Sequence, residues 1–284
     1  MASADGARLL TEFTARKQRE AIDARLERWI TDIDRHTPDL RSIGNAWSRA
    51  QIDGDFYLSR APSGDLPTTS LVFVESREGN TVAKDPASLG GGEVDKHVIY
   101  EGLSRAAADA VMAGAETIRG GTMIFSVWRP ELVQLRNALG LPRHPIQIVA
   151  TLRGVDVDKT LLFNDPGLRV LLMTVPKFVD ALRHVFAERP WITPVVMKDP
   201  GDLRTAFQQM RSLGVSTISC VGGRTLARQL LGGGLIQDLY LTKSPKSAGE
   251  PNTPLTEKPL NGELVVRKRG TGRDAGVTFE HLRL

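Results

Sequence analysis

Cysteine is nearly absent: Cys220 is the single thiol in 284 residues, which excludes an intramolecular disulfide and any zinc site built on thiolates. Histidine is as sparse. His36, His97, His144, His184 and His281 lie far apart with no i, i+4 pair, so no metal is expected. No apolar run approaches the ~20 residues a membrane-spanning helix needs. The stretch Met1-Ala2-Ser3-Ala4-Asp5-Gly6 lacks the apolar core of a secretory signal. These absences predict a soluble, cytoplasmic protein with no membrane partner. Nor is one sign of charge in large excess, since 37 Lys and Arg against 33 Asp and Glu leave a net charge of +4. The most cationic stretch, Arg267-Lys268-Arg269 with Arg273, reads as a solvated strand and turn, which argues against a nucleic-acid partner. A modest positive balance suits a phosphorylated small molecule. Gly-x-Gly-x-x-Gly, the P-loop and the Gly-x-Ser-x-Gly elbow are all missing.

What is present, 41% hydrophobic and 25% charged residues with 27 Gly and 16 Pro, is the profile of one large or two small globular domains. From Ala7 to about Ile33 the stretch is charged and free of Pro, and in its second half Ile22, Leu26, Trp29, Ile30 and Ile33 fall mostly three or four apart, which predicts an amphipathic helix. His36-Thr37-Pro38 and Ile43-Gly44-Asn45 punctuate its end, so residues 1–46 read as a helical extension and 47–284 as the main domain. After Pro67, β-branched runs alternate with helical stretches. Strands are expected at 69–74, 110–113, 146–150, 170–173, 194–197, 217–221 and 239–241, and helices at 95–107, 176–187, 202–213 and 225–231. The tail, 263–267 and 277–284, alternates around Gly270-Thr271-Gly272 as an antiparallel hairpin would. The fold class that follows is α/β, a mostly parallel sheet flanked by helices with an antiparallel edge.

Three strand ends carry polar or glycine-rich turns. In Val221-Gly222-Gly223-Arg224-Thr225-Leu226 a buried strand runs through two glycines into a helix. That lets a ligand approach the backbone and meet the N–H groups of the first helical turn, a pyrophosphate cradle to which Arg224 and Thr225 add donors. The same glycines also suit a plain tight turn. Gly114 ends a second strand and is followed by Thr117, which is either a ligand hydroxyl or a helix cap. Ser76-Arg77-Glu78-Gly79 follows the first strand of the main domain. In an open α/β sheet, ligands sit outside the carboxyl ends of the strands, so these turns point to one crevice.

The order of these pieces resembles the reductase domain of the bifunctional riboflavin-biosynthesis enzyme, a dihydrofolate-reductase-like family, over about residues 67–284. The resemblance rests on Ser76-Arg77-Glu78-Gly79, on Arg105-Ala106-Ala107-Ala108-Asp109-Ala110-Val111 with Gly114 and Thr117, on Val221 to Leu226, and on Asp238-Leu239 with Pro245 and Gly249. It implies a dihydrofolate-reductase-like fold, an NADPH-dependent reductase and a homodimer. By the same resemblance Gly114 and Thr117 belong to the first cofactor loop and Val221, Gly222, Gly223, Arg224 and Thr225 to the second. Thr151 and Arg153 stand where the family binds the 2′-phosphate of NADPH, and Ser76 and Glu78 are the catalytic candidates. Glu78 is expected as a proton donor or substrate hydrogen-bond partner, against its plain reading as a solvated loop carboxylate. The departures lie on the substrate side. The family's Ser-Leu-Asp-Gly is Ser76-Arg77-Glu78-Gly79 here, its Asp-Asn-Pro or Asp-Asp-Pro is Gly120-Gly121-Thr122, and its Glu before the glycine pair is Val221. The expected reaction is hydride transfer to a small carbonyl, imine or pyrimidine ribosylamine, 5-amino-6-(5-phosphoribosylamino)uracil being the family default. The alternative is a non-catalytic NADP-binding module or sensor.

Overall fold

Strands covered on both faces have no polar side to show, so the continuous apolar runs of this chain belong at the centre of a two-faced sheet. The computed structural model describes residues 4–60, 64–119 and 123–284. Met1 to Ser3 and Gly120-Gly121-Thr122, both used in the sequence reading, lie outside the described residues. In chain order the strands are β1 (Ile30–Asp34), β2 (Leu40–Ile43), β3 (Phe56–Ser59), β4 (Thr68–Glu75), β5 (Ala110–Gly114), β6 (Ile146–Ala150), β7 (Val170–Thr174), β8 (Ile192–Val196), β9 (Thr217–Cys220), β10 (Asp238–Lys243), β11 (Glu263–Arg269) and β12 (Thr278–Arg283). The helices are α1 (Ala4–Asp23), α2 (Ala46–Ile52), α3 (Gly92–Val94), a π-helix (Asp95–Leu103), α4 (Ser104–Ala106), α5 (Ala115–Ile118), α6 (Pro130–Ala138), α7 (Pro176–Ala181), α8 (Arg183–Glu188), α9 (Leu203–Ser212) and α10 (Arg224–Gly232).

Ten strands form one sheet in the order β1-β11-β12-β10-β4-β9-β5-β6-β7-β8, and β2 pairs with β3 alone. From β10 to β8 every neighbouring pair is parallel. The β10-β12-β11-β1 edge is antiparallel. Alternate residues of each parallel strand enter two separate cores. One holds Val72, Val111, Val149, Leu172, Val221 and Tyr240 beneath the π-helix, α1 and α6. The other holds Leu71, Met112, Ile148, Leu171, Ile218 and Cys220 beneath α9 and α10.

The N-terminal segment departs from expectation. The helix predicted to Ile33 stops at Asp23, and Ile30–Asp34 is instead β1, paired with β11 from Ile30↔Arg269 to Asp34↔Val266. Trp29 is fully buried and its indole donates to Asp274 Oδ2 at 3.0 Å. Apolar residues at 26, 29, 30 and 33 fit a helical face as well as a short edge strand, and pairing with the C-terminal hairpin decides between them. Lys17 of α1 pairs with Glu101 of the π-helix at 2.8 Å, and Phe13 sets its ring edge-on to Trp128 at 5.7 Å. No helix among the described residues is long and apolar enough to cross a membrane.

Candidate functional site

The carboxyl ends of β5 and β9 lie side by side, and the glycines there meet. Gly114 donates its N–H to the Gly222 carbonyl at 3.3 Å, and Val221 donates to Met112 at 2.9 Å. A Cβ at Gly222 would stand 3.2 Å from Thr117 Oγ1, so the first loop's hydroxyl rests against the second loop's backbone. Gly223 has φ +87°, a conformation that favours glycine, and a Cβ there would stand 3.7 Å from the Gly114 backbone. At Gly114 itself a Cβ would meet no protein atom within 4 Å. No side chain caps α10, whose first turn carries Arg224 and the exposed Thr225. Arg224 reaches the Pro254 carbonyl at 3.4 Å. The backbone therefore offers open N–H groups at a close-approach surface, which attracts an anion. Val221 belongs to this segment but is buried in the core, and it contributes no polar group.

Beside α5 a cavity of about 750 Å³ opens, lined by Arg119, Arg153, Lys159, Asp156, Gly154 and Phe178 among others. Lys159 pairs with Asp156 at 3.1 Å and Arg119 with Glu116 at 2.7 Å, while Arg153 has no ion-pair partner among the described residues. Thr151 is buried. Its hydroxyl donates to the Gly154 carbonyl at 2.8 Å and accepts the Arg153 N–H at 3.3 Å, so it shapes the turn that presents Arg153. Gly154 has φ +81° and passes under the Phe178 ring, 3.2 Å from where its Cβ would be. Phe178 and Lys159 escaped the sequence reading. Lys159 comes from the turn after β6 and Phe178 from α7, and no motif spacing joins them.

The third turn lies two strands from β5. Ser76 is buried, donates from Oγ to Glu78 Oε2 at 3.1 Å and accepts the Asn80 N–H at 3.3 Å. These bonds hold the turn, and no histidine is among its hydrogen-bond partners in the described residues. The Ser247 hydroxyl foremost, with the Ser76 hydroxyl and backbone N–H groups, holds the exposed Glu78 carboxyl down at about 2. The carboxyl is thus an acceptor in this turn, bonded by the Ser76 hydroxyl at 3.1 Å.

The RibD C-terminal domain family matches residues 81–272, more than half of the chain. The chain belongs to the RibD C-terminal domain family. A pyrimidine reductase-like protein from Corynebacterium diphtheriae is similar at 20% identity and TM-score 0.58, over 76% of this chain and 91% of that one. Acinetobacter baumannii RibD is similar at 16% identity and TM-score 0.59, over 77% of this chain and 58% of that one, so the match spans little more than half of the RibD polypeptide. The riboflavin biosynthesis reductase Rib7 of Saccharomyces cerevisiae is similar at 12% identity and TM-score 0.53, over 79% of this chain and 93% of that one. A comparison with curated proteins gave no match. The fold is thus that of the RibD reductases, dihydrofolate-reductase-like, and the family is one of reductases.

Proposed function

We propose that this RibD-family chain is an NADPH-dependent reductase that delivers hydride to a small carbonyl, imine or pyrimidine ribosylamine, with 5-amino-6-(5-phosphoribosylamino)uracil as the first candidate substrate. The observation that carries the reading is the meeting of the glycine ends of β5 and β9 next to a cation-lined cavity. The fit to the cofactor has three parts. The place a Cβ would take at Gly114 is empty, α10 has uncapped N–H groups, and the neighbouring cavity is of the size ligand pockets have, ~300–1,000 Å³.

In this reading Gly222, Gly223, Arg224 and Thr225 hold the pyrophosphate, with Gly114 and Thr117 on its other side. Arg153, which has no ion-pair partner among the described residues, meets the 2′-phosphate, aided by Arg119 and Lys159, and Phe178 offers a flat apolar wall to the adenine. The bound nicotinamide supplies the hydride. The protein orients the reactants and excludes water. Titration of the purified protein with NADPH and NADH, read by energy transfer from tryptophan to nicotinamide, tests the reading, followed by a turnover screen that starts with the ribosylaminouracil. Tight, selective NADPH binding with turnover is the expected result. Binding of neither nucleotide overturns the cofactor assignment, and selective binding without turnover on the whole panel leaves the sensor alternative.

A further inference from the structure

A loop holds one shape only where its backbone groups find partners. The connection from β6 to β7 gives Arg153, Asp156, Lys159 and Thr160 to the cavity, and two polar side chains close it. Thr151 closes the first half and presents Arg153. Asn164 closes the second half: its Nδ2 donates to the carbonyls of Val157 at 2.7 Å, Thr160 at 3.0 Å and Asp158 at 3.1 Å. Three carbonyls around one atom identify it as the donor end of the amide. The turn is also bonded internally, since Lys159 donates its N–H to Asp156 Oδ1 at 3.2 Å and Thr160 its hydroxyl to the Asp156 carbonyl at 2.7 Å. Val157 is buried in the core and Lys159 is exposed. Asn164 thus does for Lys159 what Thr151 does for Arg153.

Asn164 is in turn held from outside the loop. Gly6, in the first turn of α1, is buried, and a Cβ there would stand 2.5 Å from the Asn164 carbonyl oxygen and 3.4 Å from the carbonyl carbon. A glycine allows that approach of backbone to backbone, and any side chain would force helix and loop apart. The later turns of α1 are tied to the main domain by the Lys17–Glu101 pair, by the Phe13–Trp128 contact and by Arg129, whose Nη1 donates to the Ala21 carbonyl at 2.6 Å. With those turns fixed, the first turn bears on Asn164. Arg189, just after α8, ties the same loop at Asp158, at 2.5 Å. α1 lies outside residues 81–272, which carry the family match.

We propose that Asn164 and Gly6 are positioning residues of the cofactor site. α1 rests on Asn164, Asn164 holds the turn from Asp156 to Thr160, and the turn presents the Lys159 ammonium to the 2′-phosphate. This inference rests on the NADPH reading. Its consequence is selectivity, because NADH has no 2′-phosphate for Lys159 to meet. The N-terminal helix therefore acts on the choice of cofactor without touching it.

The test measures NADPH and NADH affinity of the full chain by fluorescence titration for wild type, Asn164→Ala, Gly6→Leu, Lys159→Ala and the double variant Asn164→Ala with Lys159→Ala. Lys159→Ala is expected to weaken NADPH about 10-fold, the scale of one hydrogen bond to a charged group. Asn164→Ala and Gly6→Leu are expected to weaken it about 3- to 10-fold, because a displaced lysine loses part of that contact. NADH affinity is expected to stay at the wild-type value throughout. The double variant is expected to bind NADPH no more weakly than Lys159→Ala, since Asn164 acts through Lys159. A side chain that only stabilises the fold would weaken both nucleotides together, or add its loss to that of Lys159→Ala. Either result overturns the proposal and leaves the reductase reading intact, as does wild-type NADPH affinity in Asn164→Ala and Gly6→Leu. Wild-type protein that binds neither nucleotide, or both equally, overturns the proposal together with the cofactor assignment. If Asn164→Ala fails to fold, Gly6→Leu takes its place in the double variant and is judged in the same way.

Discussion

Gly114 offers the cleanest separation of a ligand surface from a tight turn. Its backbone, φ −74° and ψ 153°, is ordinary for any residue, and a Cβ there meets no protein atom within 4 Å. Gly114→Val therefore adds a side chain where the protein itself has room, and the stability change should stay within about 0.5 kcal/mol. That is a Tm shift of about 1–2 °C for a chain of this size. If NADPH lies along the end of β5, the same methyl groups intrude on it. Overpacking of a fitted surface costs about 1–3 kcal/mol, which at RT of about 0.6 kcal/mol weakens binding about 5- to 150-fold. Fluorescence titration with NADPH and a thermal melt on the same sample give both numbers. Wild-type affinity in Gly114→Val would refute the assignment of this strand end to the cofactor. A large drop in Tm would refute the premise that the glycine is structurally dispensable.

Gly223→Ala should behave in the opposite way, because φ +87° strains any side chain; a cost of about 1–3 kcal/mol should appear in thermal melts without ligand. Arg153→Ala removes a cavity guanidinium that has no ion-pair partner among the described residues. Since hydrogen bonds to charged groups are worth about 1.5–3 kcal/mol, NADPH affinity should drop about 10- to 150-fold while NADH affinity, measured in the same titration, stays constant. Burial alone would raise the Glu101 carboxyl, but His97, Arg105 and Lys17 outweigh it and hold it at about 2 against an ordinary 4.5. Its stabilisation is therefore complete above about 4.5 and is lost as pH falls toward 2. Lys17→Met should lower the melting temperature at neutral pH and make the decline below pH 4.5 shallower; parallel acid limbs in the two proteins would contradict that.

The parallel strands were legible because each is a short, mostly apolar run set off by polar or glycine-containing stretches, as a strand buried on two faces requires. The glycine ends were legible for a related reason, since Gly222 and Gly223 act through their backbone and backbone needs show in sequence. β1 was not, because Ile30 and Ile33 fit two periodicities and the deciding partner lies at Arg267 to Arg269. α6 was missed although Pro130 at its first turn is a recognisable start signal. The cavity was half legible. Arg153 closely follows β6, whereas Lys159, in a turn, and Phe178, in α7, join it only in the folded chain.

The strand at one rim of the sheet, β1, hydrogen-bonds to β11, among the last elements of the chain. During synthesis on a ribosome, β1 and the indole of Trp29 have to wait for residues 263–274 before either finds its partner. Closing so long a loop is entropically slow. The parallel strands from β4 to β9, by contrast, can assemble while the C-terminal hairpin is still being made. The sheet is therefore expected to grow from its middle outward, with the oldest part of the chain docking last and an apolar edge exposed until it does.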